Sequence, residues 1–203
     1  MPERKSRKDA VRNREAVLAA ADALFASHES PDDVTMADVA AAAGVGKGTL
    51  FRAFGDRAGL LRALYEARLA PVGEAVEAGP PPLGPATPPR DRVLALLDAL
   101  LCFKLDNRRL ALALEAGGGS NSPYQPDHYK RWHGLLHSVL EQIPDLADPD
   151  FVAHALLAAT RADLVEHLAG EEGVPRERMR AQLANFATRV LASGPVQELQ
   201  AEG

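Results

Sequence analysis

Between Thr35 and Phe54 the chain reads TMADVAAAAGVGKGTLFRAF, and this stretch constrains the fold more than any other. Two short helix-forming segments flank Gly44-Val45, which reads as a tight turn. Thr35 stands where a helix N-cap belongs, and Asp38 three residues on completes a variant of the capping box. Val39, Ala40 and Ala43 form an inward face, and Gly44 supplies the tight or left-handed backbone that a short interhelical turn needs. The next helix, about Lys47 to Ala53, turns Leu50 and Phe54 inward and opens with small residues and a lysine. Arg52 lies on its outer face. A helix of this kind fits the DNA major groove, with its N-terminal residues against base edges.

The flanking sequence is helical too. Val17, Leu18, Ala21, Leu24 and Phe25 recur at three- and four-residue steps, predicting a helix from about Val11 to Ser27 that Ser30-Pro31-Asp32-Asp33 breaks. Asp56 caps a fourth helix carrying Leu60, Leu61, Leu64, Tyr65 and Leu69, expected to end or bend before Pro71. GPPPLGPATPP, residues 79–89, reads as a loop, although a boundary near Pro71 is also open. Val93, Leu96, Leu97, Leu100, Leu101 and Leu105 mark a helix from about Arg90, and Asn107 to Ala116 a shorter one stopped by Gly117-Gly118-Gly119. Pro126 to Gln142 follows, with Tyr129, Trp132, Leu136 and Leu140 inward. Asp148-Pro149 opens a helix to about Ala169, and Pro175 opens a last one ending near Gly194-Pro195. No alternating β pattern of useful length occurs, so the expected class is all-α.

Composition narrows the partners. Residues 1–68 carry 11 lysines and arginines against 10 acids; residues 69–203 carry 12 against 18. Arg4, Lys5, Arg7, Lys8, Arg12 and Arg14 crowd the opening, which suits a basic arm meeting phosphate and equally a solvated tail. Cys102 is the single cysteine, excluding an internal disulfide and a cysteine-rich zinc site. No apolar run approaches a membrane span and the charged opening is unlike a signal peptide, so a cytoplasmic protein without membrane contact is expected.

Arg14, Ala20-Ala21, Leu24-Phe25, Thr35, Val39-Ala40, Ala43-Gly44-Val45, Gly48, Leu50-Phe51, Phe54 and Leu60 stand in one unbroken register. In this the chain resembles the TetR family of bacterial transcriptional regulators, over roughly residues 11–64. The resemblance implies a three-helix helix-turn-helix DNA-binding domain followed by a larger helical ligand-binding and dimerisation domain. The implied divisions are an arm at 1–10, the DNA-binding domain at 11–55, a connecting helix at 56–78, the loop at 79–89 and a regulatory domain at 90–203. The chain departs from the family pattern at three places. Gly46 replaces the usual serine, Phe51 the common tyrosine, and Ala58-Gly59 the usual acidic residues of the next helix.

Carried across residue by residue, the family roles assign Lys47, Gly48, Thr49 and Arg52 to the groove. Thr49 offers a hydroxyl or methyl to a base edge, and Arg52 two hydrogen bonds to a guanine, worth about 1–3 kcal/mol of discrimination. Thr35, Lys47, Phe51 and Arg57 fall near the phosphates, where contacts set position and not sequence. A phosphate or solvent role for Arg52 stays open, and Thr35 is first of all a cap.

The family binds DNA as a homodimer, which implies a near-palindromic double-stranded operator. The last two long helices are its usual interface, here with Phe151, Ala155, Leu156, Ala159, Leu164, Leu168, Met179, Leu183, Phe186 and Val190 as candidates, any of which can instead pack within one subunit. The family also implies a small apolar or amphipathic effector. Phe103, Trp132, His133, His137, His154 and Arg161 are the polar and aromatic candidates for its lining, each equally readable as core or surface.

His133 and His137 stand four apart with His128 nearby, but residue 134 is glycine and the HExxH pattern is missing. No metal, cofactor or enzyme activity is therefore assigned. The leading expectation is a repressor that a small molecule releases from its operator. The alternatives are a helical small-molecule binder or enzyme that no longer binds DNA, and a DNA-binding activator without a ligand.

Overall fold

The computed structural model describes residues 2–27, 33–116 and 127–192, and among these residues no strand occurs. The helices are α1 (Pro2–Ser27), α2 (Met36–Ala42), α3 (Lys47–Phe54), α4 (Arg57–Ala78), α5 (Pro89–Asp106), α6 (Arg108–Ala116), α7 (Asp127–Leu140), α8 (Pro149–Ala158), α9 (Ala162–Glu166) and α10 (Arg176–Ala192). The all-α expectation holds. The expected break at residues 30–32, the stop at 117–119 and the end near 194–195 lie outside the described residues.

The chain divides into two compact units, one of residues 1–70 with 109–117, the other of residues 71–108 with 118–203. The first division falls inside α4 at Pro71, and α6 joins the N-terminal unit.

In the first unit α2 packs on α1 and α3. Val17 and Ala21 of α1, Val39 and Ala40 of α2, Leu50 and Phe54 of α3, and Leu60, Leu61, Leu64 and Tyr65 of α4 are buried. Arg68 reaches Asp22 at 2.6 Å, tying α4 to α1. Burial and the nearby Glu115 charge push the Tyr65 phenol up, so it stays neutral at ordinary pH. α1 begins at Pro2, so the backbone of residues 2–10, the stretch read as an arm, is helical. Proline is tolerated at a helix start, and the mostly Lys, Arg, Glu and Ala residues behind it are good helix formers. The side chains of residues 2–8 lie outside the described residues.

In the second unit α5 packs against α7, α9 and α10, and α7 against α8. Its buried residues Val93, Leu96, Leu97, Leu100 and Leu101 follow helical spacing and meet Leu136, Leu140, Leu156 and Leu183. Arg180 grips Asp98 with two bonds of 2.7 and 2.8 Å, fixing α10 on α5. The 79–89 segment is a series of turns, as expected, and Arg92 anchors it by donating to the Leu83 and Val76 carbonyls at 3.0 and 2.9 Å.

Two helix boundaries differ from expectation. α4 does not stop at Pro71 but runs to Ala78. Proline loses the N–H bond to Ala67 and crowds that carbonyl, but beyond it Val76 is buried and Val72 packs on the second unit's core, which offsets the cost and holds the helical register. The helix opened by Asp148-Pro149 ends at Ala158, and α9 is a separate short helix continued by a π-type turn over His167–Glu171. Thr160 turns its hydroxyl back onto the Leu157 carbonyl at 2.9 Å, and the Thr160 N–H takes the same carbonyl at 3.0 Å. That i−3 bonding tightens the last turn, and Arg161 then adopts extended backbone, φ −60° and ψ 144°.

Candidate nucleic-acid interface

The helix-turn-helix is built by local bonds. Thr35 Oγ1 accepts the Asp38 N–H at 3.2 Å, and Asp38 Oδ2 accepts the Thr35 N–H at 3.0 Å, a complete capping box at the start of α2. At the other end Gly44 takes φ +65°, its N–H bonding the Ala41 carbonyl at 3.2 Å while the Val45 N–H bonds Ala40 at 3.0 Å. This is a Schellman closure, and its left-handed residue strains any side chain larger than glycine. Only two residues, Val45 and Gly46, then separate that turn from α3.

α3 starts without a side-chain cap. Gly46 is its N-cap, at φ −69° and ψ 144°, and its carbonyl accepts the Thr49 and Leu50 N–H groups at 2.9 and 3.2 Å. Leu50 is fully buried and Phe54 nearly so, which roots the helix. The opposite face holds Lys47, Gly48, Thr49, Phe51 and Arg52, all exposed. Around Gly48 a Cβ would meet no atom within 4 Å, so the outer face near it is open. α3 carries two cations and no acid, leaving its exposed face positive. Thr35 is exposed as well, and Arg57 is half-buried at the start of α4.

Two features escaped the sequence reading. The Arg14 guanidinium lies 4.7 Å from the Phe54 ring centroid and donates to the Ala53 carbonyl at 3.4 Å, so this arginine buttresses the end of α3. At Gly59, where the family pattern has an acidic residue, the backbone packs closely against the end of α3. A Cβ there would lie 2.0 Å from the Phe54 carbonyl oxygen, while the Gly59 N–H donates to Asp56 Oδ1 at 2.7 Å as the α4 cap. The cap was expected; the close approach has no sequence signature.

Of the residues assigned to an effector, His133, His137 and His154 come together on α7 and α8. The His133 ring stacks on His154 at 3.9 Å and on His137 at 6.1 Å. Phe103 is buried in α5, Trp132 packs partly buried on the core, and Arg161 is paired with Asp163 at 2.7 Å. Among the dimer candidates, Leu156, Met179 and Leu183 are buried in their own chain's core and offer little surface to a partner. Ala159, Leu168 and Val190 pack on the same core partly buried, and Ala155 is half-buried. Phe151, Leu164 and Phe186 are 65%, 39% and 42% exposed.

The exposed positive face of a buried-rooted helix, held by a tight turn behind a capped partner helix, defines a DNA-binding protein of the helix-turn-helix class. Residues 17–64 match the profile of the family described as "Bacterial regulatory proteins, tetR family". An HTH-type transcriptional regulator of Staphylococcus aureus (strain MRSA252) is 28% identical over 164 residues, 79% of this chain and 84% of that protein. Thermus thermophilus FadR, a TetR family repressor solved with lauroyl-CoA, superposes with TM-score 0.68 at 20% identity, covering 94% of this chain and 99% of that one. NalD, the secondary repressor of the MexAB-OprM multidrug efflux pump in Pseudomonas aeruginosa, gives TM-score 0.58 at 18% identity, covering 90% and 97%. Residues 17–64 carry the DNA-binding region of the TetR family, and the chain, similar over most of its length to such regulators, is a DNA-binding transcriptional regulator.

Proposed function

We propose that this regulator is a dimeric, cytoplasmic repressor that sits on a near-palindromic operator and leaves it when a small apolar or amphipathic molecule binds the second unit. The observation that carries the DNA part is the outward face of α3, where Lys47, Gly48, Thr49 and Arg52 are exposed while Leu50 and Phe54 hold the helix in place. Arg52 reads a base edge; Thr35, Lys47, Phe51 and Arg57 lie along the phosphates. With no serine at position 46 and no tyrosine at 51, fewer hydroxyls meet the backbone, so the cations carry more of the contact.

Exposed Phe151, Leu164 and Phe186 support a homodimer, because large apolar side chains gain from leaving water. Two α3 helices then enter major grooves about one helical turn or a multiple apart. The effector reading draws support from the aromatic and imidazole groups of α7 and α8 and from the acyl-CoA that FadR holds.

Fluorescence anisotropy with DNA flanking the chain's own gene tests the core of this. Salt-sensitive, sequence-selective binding is expected, and Arg52→Ala should weaken it roughly tenfold or more, the equivalent of about 1–3 kcal/mol. An unchanged operator affinity for that variant removes Arg52 from the base-reading role, and no selective binding by the parent overturns the repressor reading.

A further inference from the structure

The imidazoles of α7 and α8 converge on one carboxylate. Asp150 lies in the first turn of α8 and His154 one turn further on, so both project from the same side of the helix. His133 arrives from α7. Its Nε2 stands 3.4 Å from Asp150 Oδ1, and His154 Nε2 stands 3.9 Å from Asp150 Oδ2. One ligand-type atom from each of the three lies within 4.8 Å of the others.

We infer that His133, His154 and Asp150 form a binding site for a first-row divalent cation of the zinc type. Two ligands about 2.0 Å from a tetrahedral ion stand about 3.3 Å apart, which the His133–Asp150 separation matches, while the His154 pair, to the other carboxylate oxygen, is 3.9 Å and closes slightly on binding. Two imidazoles and one carboxylate suit zinc or nickel; magnesium and calcium take oxygen sets. Three protein ligands leave a fourth position for water or a ligand.

His133 and His154 stack at 3.9 Å, so His133 turns out of that stack for both rings to aim at one ion, while His154 is already anchored. Tyr129 Oη bonds His154 Nδ1 at 2.5 Å, which fixes the ring and presents Nε2 toward Asp150. A hydrogen bond to the second ring nitrogen is the usual support for a metal-bound histidine. The His133 side chain is 17% exposed and that of Asp150 63%, so one ligand is held by packing while the carboxylate lies at a solvent-exposed rim. His137, the partner that four-residue spacing suggests for His133, pairs instead with Glu141 at 3.9 Å. The pair that chain spacing offers is therefore not the pair that converges. Phe103, Trp132, His137 and Arg161 take no part in the cation site, which does not depend on DNA binding.

Zinc titration of the full chain against a chromophoric chelator tests the site. One Zn2+ per chain is expected, with affinity reduced at least tenfold in both His133→Ala and His154→Gln and unchanged in His167→Ala, whose imidazole pairs with Glu171 elsewhere. Cobalt substituted into the parent should show the intense visible absorption of a four-coordinate ion, lost in the first two variants. Asp150→Asn, at an exposed helix start, should weaken zinc while leaving the far-ultraviolet circular dichroism of the parent, which keeps the test decisive where a histidine variant misfolds. No stoichiometric zinc binding by the parent, or parent affinity retained in His133→Ala and Asp150→Asn, overturns the site. Loss of operator binding alone does not touch it.

Discussion

Single residues in the DNA-facing unit do two tasks at once. Thr35 is exposed for phosphate in the proposed complex, yet its two bonds with Asp38 already start α2. Replacing it with alanine leaves the N3 N–H without its side-chain acceptor, a loss typically about 1 kcal/mol. Thr35→Ala should therefore lower the urea midpoint of the chain without changing the slope, and a midpoint equal to the parent's shows that the cap is dispensable. Arg14 is the reverse case. It sits in a basic opening that invites a DNA role, but it covers the Phe54 ring and holds the end of α3. Composition made Arg14 legible as a cation. Only the packing of α1 on α3 shows what that cation touches.

At the scale of elements, the informative places are where a helix runs on or stops against expectation. α4 passes through Pro71 because apolar residues on both sides of it are buried in the two units. α8 stops at Ala158 because Thr160 bonds backward, and α9 begins with Asp163 accepting both the Arg161 guanidinium and the Leu164 N–H. The Arg161 bond, with the Leu164 N–H adding to it, holds the Asp163 carboxyl below its ordinary value. A carboxyl whose folded pKa is lowered adds stability that is present above its unfolded value and lost as pH falls through the folded one. Asp163→Asn should thus cost stability at neutral pH, and the gap to the parent should close as the solution is acidified through the carboxylate range. Denaturant unfolding at a series of pH values measures it. A gap independent of pH assigns the break in the helix to Thr160 alone.

For the whole molecule, the question is what the exposed aromatic surface does. Leu156, Met179 and Leu183 carry the spacing of an interface stripe but are spent on the core of one chain. Phe151, Leu164 and Phe186 remain outside. A charge placed at one of them has little to disturb within the subunit and much to disturb between two, since a buried unpaired carboxylate is costly. Phe186→Asp should shift sedimentation from dimer toward monomer and weaken operator binding, while helical content stays at the parent value. A dimer that persists in both Phe186→Asp and Phe151→Asp places the interface elsewhere.

Sequence alone determined the helix-turn-helix, because its cap, its left-handed Gly44 and its buried Leu50 and Phe54 are set by bonds and spacings within a few residues. It likewise determined that the chain is helical and that Asp56 and Asp148 open helices. Tertiary structure decided the rest. It chose which apolar stripe is core and which stays exposed, made Gly59 necessary through its approach to α3, and brought His133 to Asp150 and His154 from the next helix. Those outcomes depend on how helices far apart in sequence settle against one another, and helical periodicity records which side of a helix is apolar, not which neighbour it will meet.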